Sequence, residues 1–113
     1  MPLAMRNGRF GLSLLLVCAC AIASSVYAGC SLPPAPSKIP DGATASDEEM
    51  RVTMITMADY ETDVNNYIKC LAFETTQGRL STETQARLSK AALDSHQAVV
   101  ARFNAQMRVY MAR

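Results

Sequence analysis

Few side chains in this sequence could act on another molecule, and they fall into small groups. Met50, Met54 and Met57 recur at helical spacing, and Met107 and Met111 form a second set near the end of the chain. Thioethers are soft ligands, so the five could hold Cu(I). The same spacing serves an irregular helix seam equally well, because methionine is flexible and polarizable. Cys30 and Cys70 could form a disulfide, or Cys30 could instead carry a lipid. His96 is the single histidine, so a zinc site would need carboxylates, Cys70 or a second chain to complete it. Its expected neighbour is Glu61, and a polar contact that sets register is the plainer use of that pair. No serine, cysteine or carboxylate stands with a supporting base, and no glycine-rich phosphate loop is present. The expectation is a protein that is not an enzyme and needs no cofactor.

Two further groups invite a surface role. Tyr60 and Tyr67 lie seven residues apart with Phe73 beyond them, which suits a docking patch or packing beneath proline rings. Arg102, Arg108 and Arg113 make a basic end, but Asp47, Glu48 and Glu49 should face it. A neutralised, solvated end follows more readily than an anion site.

The segment that delivers these residues begins with an export signal over residues 1–28. Arg6 and Arg9 supply its positive end, Leu12 to Ala23 its short apolar run, and Ser24, Ser25 and Ala28 the small residues of a cleavage site. Val26-Tyr27-Ala28 places cleavage after Ala28. The signal holds 19 of the 56 hydrophobic residues, and without it nine basic side chains face ten acidic ones. That balance excludes a strongly basic nucleic-acid surface, and no second apolar span remains to cross a membrane. The expected location is the periplasm.

Cysteine arithmetic bears on the location. Cys18 and Cys20 leave with the signal, so Cys30 and Cys70 remain as an even pair, which in an exported chain favours a disulfide. Tyr27-Ala28-Gly29-Cys30 also resembles a bacterial lipobox, departing from it at Tyr27. Acylation of Cys30 would make an outer-membrane lipoprotein and leave Cys70 unpaired.

Residues 29–45 form an extended proline-rich arm. Pro33, Pro34 and Pro36 favour polyproline geometry, and Ile39-Pro40-Asp41-Gly42 encodes a turn. Residues 43–113 then contain no proline and one glycine, Gly78. Such a stretch reads as two long helices, near 47–76 and 82–111, interrupted at Gly78. Ser46 with Glu49 makes a capping box, with Thr44 as its rival, and Ser81 or Thr82 opens the second helix, with Gln85 completing a box from Thr82.

The predicted fold is all-α: a long antiparallel helical hairpin, coiled-coil-like, over residues 46–113, preceded by the arm. Met50, Met54, Met57, Val64, Ile68 and Leu71 give one apolar stripe, and Leu88, Ala92, Ser95, Val99, Phe103, Met107 and Tyr110 the other. Centring the turn on Gly78 sets Met50 opposite Met107, Met54 opposite Phe103 and Val64 opposite Leu93. Residues 47–74 hold seven acids and two bases, whereas 79–113 hold six bases and two acids, which favours association of the arms of the hairpin. Each helix of a bare hairpin has one neighbour, so such a fold is marginal alone. The proline arm could run back along the first helix to Cys70, laying Leu32 and Ile39 on the groove. Dimerisation into a four-helix bundle is the other remedy.

The segments Pro33-Pro34-Ala35-Pro36-Ser37-Lys38-Ile39-Pro40-Asp41-Gly42, Tyr67-Ile68-Lys69-Cys70-Leu71 and Ala101-Arg102-Phe103-Asn104-Ala105-Gln106-Met107-Arg108-Val109-Tyr110 resemble those of an uncharacterised family of small exported proteobacterial proteins. The resemblance implies export, helices and a Cys30–Cys70 pairing in preference to lipidation, and carries no activity. The expected function is a non-catalytic structural or interaction protein of the cell envelope, self-associating or bound to another envelope protein. A periplasmic copper binder and a lipid-anchored lipoprotein are the alternatives.

Overall fold

The computed structural model describes Val26–Tyr27 and residues 29–113. The expected signal, residues 1–28, otherwise lies outside the described residues. Two helices dominate, α1 over Asp47–Thr76 and α2 over Thr82–Met111, and they pack as an antiparallel hairpin. Ahead of them, β1 (Val26–Tyr27) pairs antiparallel with β2 (Cys30–Ser31). This short ladder, which the sequence does not announce, crosses the expected cleavage point. Cleavage after Ala28 would remove β1.

Local chemistry explains where the helices begin and end. Ser46 caps α1: its Oγ accepts from the Glu49 N–H at 3.1 Å, while the Ser46 N–H donates to Glu49 Oε2 at 2.7 Å. Thr44, the rival cap, belongs to the preceding turn, where its N–H donates to the Asp41 carbonyl. At the far end Gly78 takes φ 72°, and the Arg79 and Gly78 N–H groups donate to the Glu74 and Thr75 carbonyls. That left-handed close ends a helix without the Cβ strain another residue would incur. Ser81 caps α2 by accepting from the Thr84 N–H at 3.1 Å, so Thr82 is the first helical residue and the expected Thr82–Gln85 box does not form.

The seam follows a stricter rhythm than the expected stripe. Met50, Met57, Tyr60, Val64, Tyr67, Leu71 and Glu74 are the buried positions of α1, at steps of three, four and seven. Met54 is 53 % exposed and Ile68 only half-buried, so Tyr60 and Tyr67 stand in the seam instead. On α2 Ala92 and Val99 are buried, and half-buried His96 occupies the place expected of Ser95, which is exposed. A seven-residue repeat keeps one face turned toward a single neighbour, and the 60, 64, 67, 71 register satisfies it continuously.

Register agrees with a turn centred on Gly78. The Tyr110 hydroxyl donates to Asp47 Oδ1 at 2.5 Å, and the Tyr60 and His96 rings stand 5.7 Å apart. The opposite net charges of the helices are not realised as a ladder of cross-helix pairs. Among the described residues one ion pair joins α1 to the end of the α2 arm, Asp47 to Arg113 at 3.9 Å. Glu48–Arg51 and Lys90–Asp94 lie within single helices, and Glu74–Arg79 staples the turn. Exposed lysine and arginine side chains gain little by reaching across a seam.

Candidate functional site

The arm is held at both ends. Cys30 is bonded to Cys70 of α1, with their Cα atoms 5.8 Å apart, and is itself buried. From there the arm passes Tyr67 at Pro33 and Tyr60 at Pro34 to Ser37, then reaches Glu49 and Thr53 at Lys38 and Pro40. Tyr60 and Tyr67 keep only 5 % and 4 % of their surface, so they pack beneath the arm rather than form an exposed patch. Burial also raises the Tyr60 hydroxyl pKa above its ordinary value. Ile39 packs on the core as expected, whereas Leu32 stays 44 % exposed.

At its other end the arm meets α2. The Gly42 N–H donates to Gln106 Oε1 at 2.9 Å, and Arg113 Nη1 donates to the Gly42 and Ala43 carbonyls at 3.4 and 3.3 Å. A Cβ on Gly42 would stand 2.0 Å from the Gln106 carbonyl oxygen, so the turn needs glycine for close approach to the α2 backbone. Asp41 stabilises the turn from within, its carboxylate accepting from the Ala43 N–H at 2.9 Å. Arg113 also lies over the Tyr110 ring, 4.6 Å from its centroid. Of the basic end, therefore, Arg113 joins this clamp, while Arg102 and Arg108 are exposed on α2. Sequence reasoning missed the clamp because Gly42, Gln106 and Arg113 are far apart in the chain.

The methionines do not gather on one accessible face. Met50 and Met57 are buried in the seam, Met107 is half-buried, and Met54 and Met111 are exposed. In the hairpin register the exposed pair stands about eight residues apart, or about 12 Å along the axis. One ion could not bridge that span. No group of three or more His, Cys, Asp or Glu side chains able to hold a metal occurs among the described residues.

A second groove runs along the other edge of the seam. Met54, Met57, Ala58 and Glu61 of α1 and His96, Val100 and Phe103 of α2 line a concavity of about 250 Å³ there. Met54 faces Phe103 across it, as the register predicts. Helical periodicity extends both edges: Asn65, Ile68 and Ala72 follow Glu61, and Ser89 and Leu93 precede His96 at steps of three and four. Between Met54 and Ala72, and between Ser89 and Phe103, Glu61 is the one charged residue, and Arg51 stands one turn before Met54 on the same row. Glu61 is the sequence-expected neighbour of His96 and lines the same concavity, but the ring stacked against the imidazole is Tyr60. Three further concavities among the described residues lie along the arm and are open clefts.

No described helix is long and apolar enough to cross a membrane. No protein-family model matches the chain, and neither a curated protein nor a solved structure does.

Proposed function

We propose that this chain is a non-catalytic structural or interaction module of the bacterial cell envelope, exported to the periplasm. The observation that carries the reading is the Cys30–Cys70 bond, which spends both cysteines of the described residues on pinning an arm to a thin hairpin. Disulfides persist in oxidising compartments, in keeping with the signal-like start of the sequence. A hairpin built this way offers extended surface rather than an enclosed pocket where acid, base and nucleophile could converge. Its open groove, apolar and nearly uncharged, is the kind of surface that another protein covers.

Intact mass of the protein from its native host, with and without reductant and alkylation, tests this reading. The expected result is a chain beginning at Gly29 that takes up two alkyl groups only after reduction. A diacylglycerol mass on Cys30 would replace the bridge with the lipid-anchored alternative, since both need the same sulfur. A retained signal would overturn export. The copper alternative has two exposed thioethers, Met54 and Met111, and a Cu(I) competition titration decides it: affinity must drop when Met54 and Met111 become leucine. Proximity labelling in the envelope then identifies what the module touches.

A further inference from the structure

We infer that the open groove is the seat of a second copy of this chain, packed by two-fold symmetry into a four-helix bundle. This rests on the interaction-module reading and names its partner. Three observations select that occupant.

The first is size. The helices have 30 residues each, and the open cleft lies within the face they share, between residues 54–61 of α1 and 96–103 of α2. A face about 45 Å long and two helices wide offers about 800 Å², the amount each partner buries in a standard-sized complex. Equal helices also let two copies overlap completely, with no end left over.

The second is chemistry. Met54, Phe103 and Val100 form an apolar centre, and Met54 and Leu93 are exposed. Between Met54 and Ala72 the α1 row carries Glu61 alone as a charge, with Arg51 one turn before Met54. Charge depletion is the compositional mark of an interface core. One arginine is not the basic fringe that would suit an anionic lipid surface.

The third is placement. Glu61 stands at the middle of α1 and His96 at the middle of α2. A two-fold axis through the centre of the face maps each midpoint onto the same level, whether it runs along the bundle or across it. An axis along the bundle sets α1 of one copy against α2 of the other and so brings Glu61 to the second copy's His96, and the reciprocal pair with it. An axis across the bundle would set Glu61 against Glu61. The bundle-axis packing also sets the net-acidic α1 of one copy against the net-basic α2 of the other. A partner of unrelated sequence would have no such reason to match.

Sedimentation equilibrium of the exported protein, over about 1–100 μM, tests the proposal. The wild type should dimerise, and Met54→Lys should weaken the dimer at least about thirtyfold by burying a charge at the interface centre. Val109→Lys, at an exposed valine on another face of α2, should leave it unchanged. Glu61→Lys should weaken association, and Glu61→Lys with His96→Glu should restore it. Circular dichroism of each variant checks that the monomer keeps its helices, and a variant that has lost them is replaced by Met54→Gln. A monomer throughout the range overturns the second copy while leaving the module reading to its own mass test. Equal effects of the two lysine variants, or no rescue by the charge swap, overturn the groove or the pairing. A monomer that binds Cu(I), or phosphatidylglycerol vesicles, through Met54 overturns the occupant.

Discussion

The two sides of this hairpin differ: the arm covers one along α1, and on the other the groove between α1 and α2 is open. Along the first, Tyr60 and Tyr67 lie under prolines 33 to 36, and the covering strand is tied at Cys70 and at Gln106. Along the second, Met54 and Phe103 meet across a cleft that the described chain leaves uncovered. The difference teaches what holds so thin a fold. A two-helix seam supplies one line of contacts, and the arm adds a third layer on one side. Stability should therefore depend on the covered side, and association on the open one.

The largest separation comes from cutting the bridge. Cys70→Ser frees a segment whose loop spans 40 residues, which on the loop-entropy model removes about 4 kcal/mol. For a domain of this size that lowers the melting temperature by about 15 °C or more. Thermal melts with and without reductant measure it. An unchanged melting temperature would mean that the arm contributes little, and the contrast between the two sides would fail.

Next come paired truncations. Tyr67→Ala removes a buried ring beneath the arm and should cost about 3 kcal/mol in urea unfolding. Met54→Ala, on the open side, should stay within about 0.5 kcal/mol at concentrations too dilute for a dimer. Similar costs at the two sites would show that both sides are buried in the same way.

The arm's far anchor ranks third. Gly42→Ala drives a methyl into the Gln106 carbonyl and should cost about 2 kcal/mol by overpacking. Hydrogen exchange should show the loss concentrated in the amides of residues 41–45 and the last turns of α2. Loss spread evenly along both helices would mean that the clamp is part of the global fold and not a local latch.

Much of this arrangement was legible in the sequence because its causes are local. The helix limits follow from Ser46 with Glu49, from Gly78 and from Ser81, each a residue acting within four positions of itself. The bridge is favoured by the even pair of cysteines, and the length of the arm permits its return. The choice of seam was less legible. Met54 and Ile68 look as apolar as Tyr60 and Tyr67, and only the competition between arm and open groove decides which row turns inward. A tyrosine can bury its ring and still satisfy its hydroxyl, so periodicity of aliphatic residues underrates it. Ser95 and His96 exchange places for a related reason, since the imidazole finds the Tyr60 ring. The Gly42 latch joins residues 64 apart, and no local rule connects them.

The smallest effect concerns the turn, where Glu74 of α1 is paired with Arg79 of the connector. Glu74 is the buried acid of the structure's described part, and Arg79 grips it twice, at 2.6 and 2.9 Å. The Arg79 hydrogen bonds hold the Glu74 carboxyl below the ordinary value of 4.5, against the opposing effect of desolvation. A group whose pKa is lowered on folding binds its proton more readily in the unfolded chain. Its contribution is thus complete above the unfolded value and is lost as pH falls through the folded one. Glu49, held low by the Ser46 N–H, and Glu48, held low by Arg51, act in the same direction. Urea midpoints should therefore be flat from pH 7 to pH 5 and decline below about pH 4.5. Glu74→Gln should lower the plateau slightly and make the decline shallower, because one of the three depressed carboxyls no longer titrates. A decline of unchanged steepness in Glu74→Gln would place the acid sensitivity at the α1 cap instead. There Glu49 and Asp47 tie the start of the helix to the arm's own turn and to Tyr110, and the comparison would then favour the covered side's end over the hairpin turn.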